Sequence, residues 1–217
     1  SGECNNLPLL NHVANFKKPM ILSTGMNDIS SIKASVETIL SHGVPLALLH
    51  CTSIYPAPPE TMRLGAITHL KDEFPDLEIG LSDHSLGISV ALGSVAVGAN
   101  IVEKHFTKSR QWPGPDNPFS IEPNELKNLV DWSKEIWKAR GGKKDILADE
   151  KPVIDFAYAC VVAIKDINKG EALSLDNIWV KRPGTGEIFA KDFEDVLGKV
   201  ATIDISENTQ LSHSMFK

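Results

Sequence analysis

Short apolar runs alternate along this chain with amphipathic stretches of helical length. Four of the runs, PMILS (19–23), PLALLH (45–50), LEIGLSDH (77–84) and NIVEKH (100–105), end in a polar, chemically capable residue. Between them, apolar positions recur at three- and four-residue intervals. Ile29, Ile32, Val36, Ile39 and Leu40 fall on one helical face of residues 27–41, with Asn27 or Asp28 as cap. Pro59 to about Phe74 repeats the pattern, with Pro59 suited to a first turn. Leu86 to Val97 is small and apolar on most sides, as suits a helix pressed against a sheet. Glu122 to Ala139 is the clearest amphipathic helix, with Leu126, Leu129, Val130, Trp132 and Ile136 inward. Strands that alternate with helices lie parallel, so their carboxyl ends gather on one side of the sheet. In a βα barrel that side holds the active site. Ser23, His50, Ser82, Asp83, His84, Glu103 and His105 are thereby predicted on a single rim.

The pattern changes after residue 140. Residues 141–156 are polar and charge-rich, and read as a linker. Beyond them come β-type runs, YACVVAI (158–164), NIWVKR (177–182) and VATIDI (200–205), punctuated by turn residues. Three segments are therefore expected: an α/β domain over 1–140, a linker over 141–156 and a small, mainly β domain over 157–217. A closed barrel needs eight strands and about 250 residues, whereas four βα units precede the linker. Either the sheet is open or the chain begins halfway round a barrel, and the abrupt start SGEC points to the second.

Composition narrows the function. With 217 residues, 42% of them hydrophobic and 23% charged, the chain reads as a soluble globular protein. Its net charge of −6 gives no electrostatic footprint for nucleic acid. No apolar run approaches the roughly 18–20 residues of a membrane span, and no signal peptide is visible, so the expected location is the cytoplasm. Three cysteines lack metal-type spacing, and their odd number argues against a disulfide framework.

His84 and His105 each end a predicted strand, and two neutral imidazoles on neighbouring strands can bind one divalent metal. Asp83 and Glu103 lie beside them in sequence and could orient the rings. The commoner role of such histidines is a hydrogen bond within the fold. Ser23, Thr24, Thr52, Ser53 and Ser82 supply hydroxyls at strand ends, and STGM (23–26) adds a glycine ahead of a helix, a combination suited to phosphate. Helix capping is the ordinary use of any one of them. Glu3 is a candidate general acid or base. No Walker or dinucleotide fingerprint is present.

SGECNN, LSTGM, LLHCTSIYPAP, GLSDHS, VEKHFT, WPGPD, ARGGKKD and VKRPGTG together resemble the sialic acid synthase family across all 217 residues. The resemblance implies the C-terminal half of a (β/α)8 TIM barrel followed by a SAF (antifreeze-like) domain. It also implies condensation of phosphoenolpyruvate with an N-acetylated amino sugar. That sugar would be N-acetylmannosamine or a 6-deoxy diacetamido sugar. By motif, His84 and His105 would bind Mn2+ or Mg2+, and Glu3 and Glu103 would be catalytic. Ser1, Ser23, Ser53 and Ser82 would bind phosphoenolpyruvate, Ser53 at a position where these synthases often carry Asn. Tyr55, Asp83, Asp116 and Arg182 would contact the sugar, Arg182 by reaching from the SAF domain into the partner's site of a domain-swapped homodimer. The family's phosphate-binding lysines lie upstream of the part seen here, so this chain alone is expected to be inactive. Two other readings compete: a carbohydrate- or ice-binding module built on the SAF domain, and a Schiff-base aldolase using Lys104.

Overall fold

A computed structural model describes all 217 residues. The chain divides into two compact units, Ser1–Gly142 and Lys143–Lys217. No helix is long and apolar enough to cross a membrane.

The first unit is an α/β half-barrel. Strands β1 (Met20–Ser23), β2 (Leu46–Cys51), β3 (Glu78–Asp83) and β4 (Ile101–Lys104) form one parallel sheet in chain order. Each connection carries a helix: α2 (Ile29–Leu40), α3 (Gly65–Glu73) and α4 (Ser89–Ala96), with α5 (Pro123–Ala139) following β4. Strand side chains alternate between two faces. Leu22, Leu48 and Ile79 form one row across the sheet. They pack with Ile32, Ile39 and Ile67 of the helices into the main core. The opposite row runs Ser23, Leu49, Gly80 and Ile101, and the next runs Cys51, Ser82 and Glu103. Gly80 is needed there, since a Cβ would lie 2.4 Å from the Ile101 carbonyl oxygen.

Local chemistry sets most boundaries. Asp28 caps α2, its carboxylate accepting from the Ser31 amide at 2.9 Å. Glu122 and Glu125 form a reciprocal capping box on α5. The stretch from Pro59 to Phe74 departs from the single helix expected. Pro59–Thr61 makes a 3-10 turn, Arg63 sits at φ +42°, and α3 begins only at Gly65. A left-handed residue cannot continue an α-helix, so Arg63 divides the two. Gly87, at φ +68°, likewise delays α4 to Ser89. Helix α1 (Leu7–Ala14), absent from the sequence reading, is capped by Asn6 and buries Leu10 and Ala14 against the α2 side of the core.

The second unit pairs β5 (Cys160–Ala163) with β6 (Ile178–Lys181) in antiparallel fashion. VATIDI forms no regular strand; Val200, Ala201 and Ile205 make only isolated bridges, to Ala172, Phe216 and Ile167. Its core gathers Val161, Ile167, Leu173, Ile178 and Leu211. Part of the expected linker is helical. A 3-10 turn over Ala148–Glu150 runs into α6 (Lys151–Ala157), and the Glu150 carboxylate accepts from the Leu147 amide at 2.7 Å.

Candidate active site

Beyond the row of Cys51, Ser82 and Glu103, the ends of β3 and β4 present His84 and His105, with ring centroids 5.2 Å apart and planes nearly perpendicular. His84 Nδ1 lies 2.9 Å from the Thr52 carbonyl oxygen. A carbonyl can only accept, so Nδ1 carries a proton, and in the neutral ring Nε2 keeps its lone pair. His105 Nδ1 faces Asp116 Oδ2 at 3.5 Å, which orients the second ring in the same sense. Two such imidazoles are a donor pair of the kind that could hold a divalent cation. No three or more His, Cys, Asp or Glu side chains converge into a closed cage. Such an ion would keep positions open to substrate, as catalytic sites do. Tyr55 stacks on His84 at 4.1 Å, and Phe119 lies 5.4 Å from His105 and 5.9 Å from Tyr55, so aromatic walls flank both imidazoles.

Beside the histidines lies a pocket of hydroxyls. Ser1 Oγ and Ser23 Oγ are 2.9 Å apart, and the Gly25 amide donates to Ser1 Oγ at 3.1 Å. Ser53 Oγ approaches the Cys51 thiol at 3.8 Å. Gly25 makes the packing possible, because a Cβ there would stand 2.3 Å from Ser53 Oγ and 2.8 Å from Ser1 Oγ. On the β4 side, Ser82 donates to Glu103 at 2.7 Å and orients that exposed carboxylate. Burial pushes the Cys51 thiol up, but the His84 imidazole and the Ser1 and Ser23 hydroxyls outweigh it and bring it to about 6. Burial pushes the His84 ring down, yet Cys51, the Thr52 carbonyl and Asp83 leave it raised. Burial, followed by the charges of Cys51, Asp116 and Glu103, raises the Tyr55 phenol, a sign that these groups share one site.

Ser1, Ser23, Ser53, Ser82, Tyr55, His84, Glu103, His105 and Asp116 are thus neighbours; of the seven residues read as one rim, Ser23, Ser82, His84, Glu103 and His105 are among them, and His50 and Asp83 are not. Within the first unit, two other predicted residues lie elsewhere. Asp83, read as a sugar contact, turns to the helix side of β3. It is 1% exposed, and both its oxygens are committed, to Lys104 and to the Ser85 amide. Glu3 is exposed and accepts from Asn6 at 2.7 Å at the start of α1, with no contact to the histidines. Arg182 is exposed in the second unit, just after β6 and before a cis proline. His50 also turns inward and bonds the Met62 carbonyl at 2.7 Å. Lys104 Nζ, with its side chain 3% exposed, is held by Asp83, so it has no free amine to offer as a Schiff-base nucleophile.

Residues 1–145 match the model of the NeuB family, and residues 158–217 match the SAF domain. The chain belongs to the NeuB family. It is 42% identical over 212 residues to the N,N'-diacetyllegionaminic acid synthase of Campylobacter jejuni, covering 96% of this chain and 63% of that protein. It is 33% identical over 233 residues to the N-acetylneuraminate-9-phosphate synthase of Drosophila melanogaster, covering 96% of this chain and 63% of that one. The crystal structure of the spore coat polysaccharide biosynthesis protein SpsE of Bacillus subtilis superposes with a TM-score of 0.61 at 35% identity. It covers 99% of this chain and 65% of SpsE. The chain thus spans about 63% of the length of the curated NeuB relatives it matches. Among residues the sequence reading left without a role, Phe119 and the Cys51 thiol border this cluster. Cys51 was legible in principle, since it follows Leu49 by two residues on β2 and so lies on the face opposite His50, the face of Ser82.

Proposed function

We propose that this chain forms the metal-holding wall of a nonulosonic acid synthase. Such an enzyme condenses phosphoenolpyruvate with an N-acetylated amino sugar to give a nine-carbon 2-keto acid and phosphate. What carries the reading is the pair of facing imidazoles, each with Nδ1 engaged and Nε2 free, beside a pocket of serine hydroxyls, in a member of the NeuB family. Mn2+ or Mg2+ bound there would act as a Lewis acid toward the sugar's aldehyde.

The chain's own groups supply the rest. Ser1, Ser23, Ser53, Ser82 and the Gly25 amide offer donors to the anionic groups of phosphoenolpyruvate. Carbon 3 forms the new bond to the aldehyde carbon, and positive charge develops at carbon 2. Glu103, aimed by Ser82, stabilises that charge electrostatically. Water adds at carbon 2 and the tetrahedral adduct expels phosphate by C–O cleavage. Glu3 takes the proton-transfer role once its side chain leaves Asn6. Tyr55 and Asp116 border the space for the sugar, and Arg182 contacts its acyl-amino group from the partner subunit of a homodimer. Both edge strands, β1 and β4, have one side without a neighbour. On this reading turnover needs further strands to close the wall, and the chain by itself is inactive.

Titration of the chain with Mn2+, followed by electron paramagnetic resonance, tests the reading. One bound ion per chain is expected, lost in His84→Ala and in His105→Ala, and perturbed when phosphoenolpyruvate is added. A folded chain that binds no Mn2+ overturns the metal assignment. Phosphate release from phosphoenolpyruvate and N-acetylmannosamine by the chain alone overturns its incompleteness.

A further inference from the structure

We propose, resting on the two-imidazole reading above, that the buried Asp83–Lys104 ion pair is the positioning element that sets His84 and His105 relative to each other. Asp83 and Lys104 are register partners on β3 and β4, and each directly precedes one of the two histidines. Lys104 Nζ lies 2.8 Å from Asp83 Oδ2 and donates to the Ser85 carbonyl at 2.6 Å. The Ser85 amide closes the loop by donating to Asp83 Oδ1 at 2.8 Å. One ammonium thus grips the residues on both sides of His84 while belonging to the residue before His105.

The rest of His84 is fixed from the other direction. Its carbonyl accepts from the Ala57 amide at 2.9 Å, and its Nδ1–H is held by Thr52. Shifting either histidine's backbone, and with it the root of its ring, therefore means moving Asp83 or Lys104, whose side chains are 0% and 3% exposed. Separating two charges in such dry surroundings leaves each uncompensated and is strongly resisted. A pair that served stability alone would behave differently. Buried ion pairs can often be exchanged for uncharged residues of similar volume with little loss of stability. Such an exchange removes equal and opposite charges, so the field at the imidazoles changes little. A positioning pair, once exchanged, frees the rings while the fold survives. Outer groups that orient metal ligands typically change metal affinity by about 10–100-fold.

The full chain carrying Asp83→Asn with Lys104→Met decides between the two. The introduced amide oxygen can still accept from the Ser85 N–H, and the introduced thioether chain fills the space of the lysine stem. Near-ultraviolet circular dichroism reports the fold, the ring-to-ring nuclear Overhauser effect between His84 and His105 reports their spacing without metal, and Mn2+ titration reports affinity. We expect the parental spectrum, a lost ring-to-ring signal, and Mn2+ binding weakened about 10–100-fold. Retention of either the ring signal or the parental affinity in the folded variant overturns the proposal. Should that variant fail to fold, Asp83→Asn with Lys104→Gln, which keeps a donor toward Ser85, is read by the same criteria. A parent that binds no Mn2+ sinks the metal reading separately, because the ring signal still tests the positioning role.

Discussion

The two faces of one pair of strand ends use the same residue types for opposite ends. On the inner face of β3 and β4, Ser82, Glu103, His84 and His105 stand with their polar atoms partly free and turned toward a shared space. On the outer face, one residue along, Asp83 and Lys104 are sealed under the helices with their charges neutralised by each other. His50 of β2 likewise lies on the outer face, bonded to a backbone carbonyl. A histidine, an acid or a base at a strand end is thus not by itself a site residue. Strand parity decides: the residue that faces the half-barrel interior keeps unspent donors and acceptors, whereas its neighbour must satisfy them within the fold.

The comparison breaks most sharply at Lys104. Lys104→Met alone leaves the Asp83 carboxylate buried without its partner, which should cost about 3–5 kcal/mol. Urea unfolding of the variant against the parent measures it. The inner-face exchange Glu103→Gln, at an exposed carboxylate, should leave the midpoint near the parent's in the same experiment. Equal losses for the two would mean that the faces do not differ as described.

A smaller effect is expected at Gly25. A Cβ there meets only the tips of side chains, Ser53 Oγ at 2.3 Å, Ser1 Oγ at 2.8 Å and Cys51 Sγ at 2.9 Å. These tips can rotate aside, so Gly25→Ala should cost at the low end of the roughly 1–3 kcal/mol typical of overpacking. The hydroxyl pocket takes the damage instead. Isothermal titration calorimetry should show phosphoenolpyruvate binding in the parent chain and none in the variant. Undiminished binding would remove the pocket from the proposed anion site.

Much of the half-barrel was legible because each strand is an apolar run that stops at a polar residue, and each helix repeats its apolar face. The convergence of Ser23, Ser82, Glu103, His84 and His105 follows from those stops, but the same rule also set His50 and Asp83 there, on the wrong face. Parity was not legible, because adjacent polar residues such as Asp83 and His84 look alike until the register of β3 against β4 is known. The break at Arg63 was hidden for a related reason, since a left-handed arginine leaves no mark on a periodic apolar pattern. In the second unit, VATIDI has β-type composition, but its residues bridge only at isolated positions, to residues 167–172 on one side and to the C-terminal segment around Phe216 on the other. Composition specifies preference and not partner. Phe119 was missed because a loop residue shows no periodicity, and only folding brings it beside His105.

The mildest test of the two faces is pH. His50 is buried on the outer face; burial first, and then the Arg63 charge, hold its ring below the ordinary histidine value, against the opposing Met62 carbonyl. Asp28 and His69 also border the cavity on which it opens, so the comparison must isolate His50 from them. In the unfolded chain His50 titrates near 6.5. Between that value and its depressed folded value, the unfolded state takes up a proton that the folded state refuses. Stability is therefore full above about pH 6.5 and falls as pH drops toward the folded value. His50→Gln keeps a side-chain donor for Met62 and removes the titration. The stability difference between parent and variant should shift against the parent as pH falls from about 7.5 to about 5.5, a window that brackets the unfolded value, while raised groups such as His84 cancel in the subtraction. Urea midpoints across that range measure it, and a difference that stays flat with pH would show that folding does not hold His50 below its ordinary value.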